Sequence, residues 1–183
     1  MDADLSRAVA ALRRGGVIAY PTEAVWGLGC DPFNESAVRR IFALKERPGG
    51  IGVILIGADF AQIAPFLGDC SPVAIDRARA TWPGPNTWIF PRNTLVPAWI
   101  VGEHAGIAVR VTAHPIAAAL CRAFGSAIVS TSANPHGQAP ARSAETVRQL
   151  FNDPLDEIIE GELGGLERPT PIRDAVSGKT LRQ

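Results

Sequence analysis

The sequence predicts an α/β fold: a single domain spanning residues 1–183, built on a mixed, parallel and antiparallel, sheet. Three observations lead there. The length suits one hydrophobic core rather than two. With 46% hydrophobic and 20% charged residues the chain has enough apolar surface to fold, and its apolar runs stay short of the ~18 residues of a membrane span. Short apolar runs of strand length alternate with segments of helical periodicity, but without the even rhythm of repeated βαβ units, which favours a mixed sheet over a purely parallel one.

The elements follow in order. Leu5, Val9 and Leu12 recur at helical spacing, and Gly15-Gly16 stops that helix. Residues 17–20 are a buried-strand run ended by Pro21, and residues 21–33, rich in Thr, Gly and Asp, read as an ordered loop. Asn34 caps a helix running to about Glu46, with Val38, Ile41, Phe42 and Ala43 on its inner face, and Arg47-Pro48-Gly49-Gly50 breaks it. A strand is expected at 52–56, a short helix at 59–66 and a helix at 72–81, punctuated by Trp82-Pro83-Gly84-Pro85. Strands follow at 87–90 and 107–111, then a helix at 115–124 with Pro at its first turn, and a strand at 127–130. Residues 130–141 form a second polar loop, Ser143 caps a helix to Phe151, and short strands close the chain near 157–159 and 172–176. No internal repeat, low-complexity tract or linker interrupts this series.

Net charge is zero, so no global field recruits nucleic acid, although sixteen arginines can still be concentrated in one cleft. Cys30, Cys70 and Cys121 are odd in number and far apart, as in reduced cytoplasmic thiols rather than a disulfide or zinc framework, and no leader-like segment opens the chain. His104, His114 and His136 fall in loops or near helix starts without metal-ligand spacing and read as solvated; no metal site is expected. No Gly-x-Ser-x-Gly or Walker-type motif occurs, which excludes one mode of nucleotide binding and not nucleotide binding itself.

Four polar loops carry the chemistry. In Tyr20 to Asp31, the Thr22 hydroxyl and glycine-rich backbone suit a small polar ligand, or else form a turn that packs Trp26 into the core. Lys45 is one of only two lysines in the chain, so an ammonium has been kept where arginine is the habit. With Arg47 it sits where a helix unwinds, so both can converge on one polyanion or cap the helix's negative end. Residues 82–87, ending in Thr87, are a rigid turn on any reading. Ser130-Thr131-Ser132-Ala133-Asn134, with Arg142 downstream, offers hydroxyls and an amide to phosphate or carboxylate oxygens, or caps its own backbone. Arg110 lies in an otherwise apolar strand and must find a partner or a ligand.

These loops, in this order, resemble the YrdC-like family of threonylcarbamoyl-AMP synthases in its short, single-domain form. Residues 20–31, 44–48, 82–87, 107–111 with His114-Pro115, and 130–134, with Ile172-Arg173-Asp174 and Ser177-Gly178, carry the resemblance. It implies a twisted mixed sheet with flanking helices and a concave, basic cleft. It also implies an ATP-dependent nucleotidyltransferase that joins L-threonine, bicarbonate (or CO2) and ATP into threonylcarbamoyl-AMP, releasing pyrophosphate. A partner threonylcarbamoyl transferase complex then modifies N6 of adenosine 37 in tRNA, in the cytoplasm. On this resemblance Lys45 and Arg47 are catalytic and bind the triphosphate. Thr22, Arg110 and Ser132 hold threonine or its carbamate, and Thr87, Ser130, Asn134 and Arg142 line the nucleotide side. Mg²⁺ arrives held mainly by phosphates and water.

One stretch departs from the family pattern: Gly49-Gly50-Ile51-Gly52 carries no charge where a further basic or polar residue is usual, and its glycines suggest closure over substrate. Two other readings use the same residues. A non-catalytic module would bind duplex RNA, tRNA or a ribosomal precursor through the concave face. A carbamoyl-adenylate chemistry, as in hydrogenase maturation, fits the chain poorly, because the zinc-finger-like cysteine pattern that accompanies it is missing.

Overall fold

The computed structural model describes residues 3–47, 50–151 and 155–182. The helices are α1 (Ala3–Arg13), α2 (Glu35–Leu44), α3 (Phe60–Ile63), α4 (Pro72–Arg79), α5 (Ala98–Val101), α6 (Pro115–Phe124) and α7 (Ala144–Leu150). The strands are β1 (Ile18–Pro21), β2 (Trp26–Gly29), β3 (Ile54–Gly57), β4 (Thr87–Pro91), β5 (Gly106–Val111), β6 (Ile128–Ser132), β7 (Glu157–Ile158), β8 (Ile172–Asp174) and β9 (Thr180–Arg182). Among the described residues they form a nine-stranded sheet in the order β7-β1-β2-β6-β3-β5-β4-β8-β9. The β1–β7, β3–β5 and β4–β8 pairs are parallel and the rest antiparallel, the mixed sheet that uneven alternation predicts.

Local chemistry explains the helix ends. Asn34 Oδ1 accepts from the Ala37 amide at 3.0 Å, Ser71 and Ser143 cap α4 and α7, and Gly125, at φ 93°, closes α6 in the left-handed region. Glu46 takes φ 48°, so α2 ends two residues earlier than the apolar pattern suggests, and Ala43 is exposed rather than inward.

Period-two alternation divides the sheet's residues between two cores. Trp26, Leu28, Leu55, Trp88, Phe90, Val109 and Val129 go to the larger one, under α2, the α3–α5 region and α7. Burying each such side chain stabilises the fold by about 1.5–3 kcal/mol. On the opposite face α1 and α6 cover Ile18, Tyr20, Ile56 and Ile128 and leave the rest of the sheet uncovered.

Three elements lie where none is expected. Residues 26–29 are a strand, not a loop: the ring of Tyr20 crosses Gly27 and Gly29, whose Cβ positions would lie 3.5 and 2.8 Å from it. Glycine is a poor strand former, so the signal that usually marks a strand is missing from this one. The single-turn α5 and the exposed β9 are too short for a periodicity to register. His114 is also not solvated: it is buried, its Nδ1 accepts from the Ala117 amide at α6's start, and its Nε2 lies 3.0 Å from the Glu162 carbonyl.

Candidate active site

The uncovered part of the sheet is the floor of a cavity of about 800 Å³. Register places Ser130 opposite Ile54, Ile54 opposite Ala108 and Ala108 opposite Ile89, one continuous row across β6, β3, β5 and β4. Ile54, Ala108 and Ile89 stay partly exposed, whereas Leu55, Val109 and Trp88 on the other face are buried. In the next row Ile128 and Ile56 lie beneath α6, and Arg110 lies opposite Ile56. The charge in an apolar strand thus stands where the helical cover gives way to the cavity.

Thr22, Lys45, Arg47, Arg110, Ser130, Ser132 and Asn134 all line this cavity. They arrive from the β1–β2 turn, the end of α2, β5 and the end of β6. Thr22 is buried and donates its hydroxyl to the Val25 carbonyl at 2.6 Å, which fixes the turn and leaves its oxygen as an acceptor. Lys45 is buried at α2's C-terminal end. Its Nζ donates to the carbonyl of Ser132, to the carbonyl of Asn134 at 2.8 Å and to Asn134 Oδ1 at 3.3 Å. Asn134 Nδ2 donates within its own loop, to Pro135 and Gln138 carbonyls at 3.0 and 2.8 Å. Lysine and loop therefore hold each other.

Thr87 and Arg142 are not brought into the lining. Thr87 is fully buried, its hydroxyl 3.5 Å from that of Thr170. Arg142 is exposed and its Nη1 donates to the Ala24 carbonyl at 3.0 Å, which braces the β1–β2 turn. Residues 82–86 also lie outside the lining. Conversely, Thr170, Arg182, Ile51 and the exposed His104 and His136 line it. Thr170 carried a sequence signal that went unread, a hydroxyl held between Pro169 and Pro171. Arg182 carried none, because only the pairing of β9 with β8 brings it in.

Charge is divided across the site. Lys45, Arg47 and Arg182 stand together: burial first, and then Arg47's charge, lowers the Lys45 pKa to about 8. Burial and Arg182 in turn lower that of Arg47. Arg47 Nη2 donates to the Gly52 carbonyl at 3.1 Å. Among the described residues no Asp or Glu lines the cavity, so this cluster of like charges has no carboxylate there to relieve it. Arg110 is different, with its Nη2 3.3 Å from Glu23 Oε2 and its Nη1 donating to Thr170 Oγ1 at 2.9 Å. Burial would raise the Glu23 pKa, but Arg110's charge and the Thr112 hydroxyl prevail and hold it below the ordinary carboxylate range. The cavity thus offers two kinds of cation: a cluster without a carboxylate, suited to a polyanion, and a neutralised guanidinium, suited to a single carboxylate, with Arg182 Nη2 also donating to the Thr170 carbonyl at 3.5 Å. Among the described residues no group of three or more His, Cys, Asp or Glu could hold a metal ion.

Known proteins share the sequence and the fold of this chain. Residues 10–183 match the Sua5/YciO/YrdC family model, described as "Telomere recombination". A threonylcarbamoyl-AMP synthase of Halorhodospira halophila is 56% identical, covering 96% of this chain and 92% of its own. One of Stenotrophomonas maltophilia is 55% identical, covering 97% of both. Among solved structures, P. abyssi Sua5 complexed with L-threonine superposes with a TM-score of 0.87 at 34% identity, over 93% of this chain. The chain spans about half the length of that protein, 50%. E. coli YciO superposes with a TM-score of 0.83 at 28% identity, over 98% of this chain and 90% of its own.

Proposed function

The chain belongs to the Sua5/YciO/YrdC family, and from that premise we propose that it is an L-threonylcarbamoyl-AMP synthase, an ATP-dependent enzyme. The observation that carries this reading is the division of charge in one cavity over the sheet. L-Threonine, bicarbonate and ATP combine to threonylcarbamoyl-AMP, pyrophosphate and water. The threonine amine, once deprotonated, forms the carbamate, and a carbamate oxygen displaces pyrophosphate from the α-phosphorus. That displacement needs alignment and charge neutralisation rather than a protein nucleophile.

In this reading Lys45, Arg47 and Arg182 receive the triphosphate and stabilise the charge that moves onto pyrophosphate. Arg110 and Thr170 take the threonine carboxylate, with Thr22 and Ser132 beside it, and Ser130 and Asn134 shape the path between the two substrates. The concave face is therefore basic at its triphosphate end. Mg²⁺ fits as a companion of ATP: the lining offers hydroxyls and cations rather than carboxylates, so the metal would be carried by phosphate oxygens and water. It would supply further charge neutralisation at the phosphates. The product passes to a transferase that modifies adenosine 37 of tRNA. Among the described residues no helix is long and apolar enough to cross a membrane, and we place the reaction in the cytoplasm.

The test is product formation by the purified chain with Mg²⁺-ATP, L-threonine and labelled bicarbonate. Label in a threonine-dependent adenylate with matching pyrophosphate supports the synthase. Salt-sensitive RNA binding without any such turnover would overturn it in favour of an RNA-binding module.

A further inference from the structure

Behind Arg110 lies a buried carboxylate that does not line the cavity. Glu23, in the β1–β2 turn, is 6% exposed. Its Oε1 accepts from the Thr112 hydroxyl at 2.7 Å and from the Ala113 amide at 3.2 Å, so both groups beyond the end of β5 hold it in one orientation. Thr112 Oγ1 in turn accepts from the His114 amide at 3.1 Å, which ties this end of the network to the start of α6. The turn itself is strapped from outside: the amides of Gly164 and Leu166 donate to the carbonyls of Thr22 and Glu23, each at 3.0 Å.

The contact between Glu23 and Arg110 is incomplete. Oε2 lies 3.3 Å from Arg110 Nη2 and, among the described residues, neither it nor buried Arg110 Nε has a hydrogen-bond partner. A buried ion pair with unfilled hydrogen-bonding capacity is costly until something completes it. Nε is shielded from the cavity, so the donors Arg110 keeps in reserve are the Nη1 and Nη2 hydrogens not spent on Thr170 and Glu23, while its charge is already balanced. We infer that Glu23 is a positioning residue: it fixes the Arg110 guanidinium at the cavity floor so that its spare donors recognise the threonine carboxylate by direction rather than by net charge. This rests on the reading of Arg110 as the carboxylate site. Because the cations at the triphosphate end are not neutralised in this way, Glu23 governs threonine and not ATP.

Calorimetric titration of L-threonine and, separately, Mg²⁺-ATP into the full chain tests this in the wild type, Glu23→Gln, Arg110→Met, the double variant and Thr112→Val. Glu23→Gln is expected to weaken threonine binding at least tenfold and ATP binding less than threefold. In the Arg110→Met background the same substitution should change threonine affinity less than twofold, since its effect passes through Arg110. Thr112→Val, which removes one support of Glu23 and leaves the charge, should weaken threonine binding two- to fivefold; it carries the test if Glu23→Gln fails to fold. Unchanged threonine affinity in Thr112→Val and Glu23→Gln, or equal losses for both ligands, would overturn the inference alone. A wild type that binds no threonine would overturn the functional reading and this inference with it.

Discussion

Replacing Lys45 with Met separates what the ammonium does for the fold from what it does for the reaction. In the free protein Lys45 is a burdened group: burial and Arg47 lower its pKa from 10.5 to about 8. At 1.36 kcal/mol per unit that is about 3 kcal/mol against the charged form. The sign follows from the direction. Below about pH 8 both folded and unfolded states carry the proton and the full penalty applies; between about 8 and 10.5 the folded state sheds it first, and stability rises. Methionine removes the penalty together with the ammonium's bonds to the Ser132 and Asn134 carbonyls, each worth about 1.5–3 kcal/mol as charge-assisted hydrogen bonds. The two nearly offset, so Lys45→Met should unfold within about 3 kcal/mol of wild type at pH 7 by denaturant titration. Losing a preorganised cation at the pyrophosphate has no such offset and costs about 2.7–4 kcal/mol of barrier, or about 10²–10³ in kcat. Threonine-dependent pyrophosphate release measures it. A folded Lys45→Met variant with activity within threefold of wild type would refute the assignment and make Lys45 a pin for the Ser132–Asn134 loop.

Four further outcomes follow from the same geometry. In wild type kcat/KM for ATP should fall tenfold per pH unit above about 8, as Lys45 loses its charge, and Lys45→Arg should lack that limb; a flat wild-type profile to pH 9.5 counts against a charged Lys45 at the phosphates. Gly29→Ala would set a Cβ 2.8 Å from Tyr20 Cε1 and from the Val129 carbonyl oxygen, and should cost about 1–3 kcal/mol, read as a fall in Tm of about 2–4 °C per kcal/mol. Ile51→Lys places a further cation at the cavity rim and should lower the KM for ATP by about 1.4- to 5-fold at low salt, the range of an exposed pair; an unchanged KM would show that the uncharged segment is no handicap. Burial pushes the Cys121 thiol up to about 12 and Cys30 higher still; burial and Asp69 also raise Cys70, but its partial exposure should make it the first of the three to alkylate in the native protein at pH 8, with all three reacting in denaturant.

Much of the site was legible before the fold because its residues announce themselves by exception. A lysine in an arginine-rich chain, an arginine within an apolar strand and a run of hydroxyls at a strand's end are each costly or unusual unless they bind something. These are the residues that the sheet gathers around the cavity. Thr87 and Arg142 stand in the expected segments but do not line the cavity: the hydroxyl of one lies against that of Thr170, and the other donates to a backbone carbonyl. The proposed closure of residues 49–52 rests partly on Gly49, which with Pro48 lies outside the described residues.

Periodicity, caps and breakers by themselves determined the helices from α1 to α7 except α5, the strands with clear apolar runs and the mixed character of the sheet. Those signals are local, and the local backbone obeys them. Tertiary structure alone decided that Trp26–Gly29 is a strand, because its glycines are there to admit the Tyr20 ring. It alone decided that Arg182 joins Arg47 and that Glu23 stands behind Arg110, residues far apart in the sequence. Such pairings depend on strand order and register, which a single sequence does not display, since the partner of any strand is chosen by the burial of all the others.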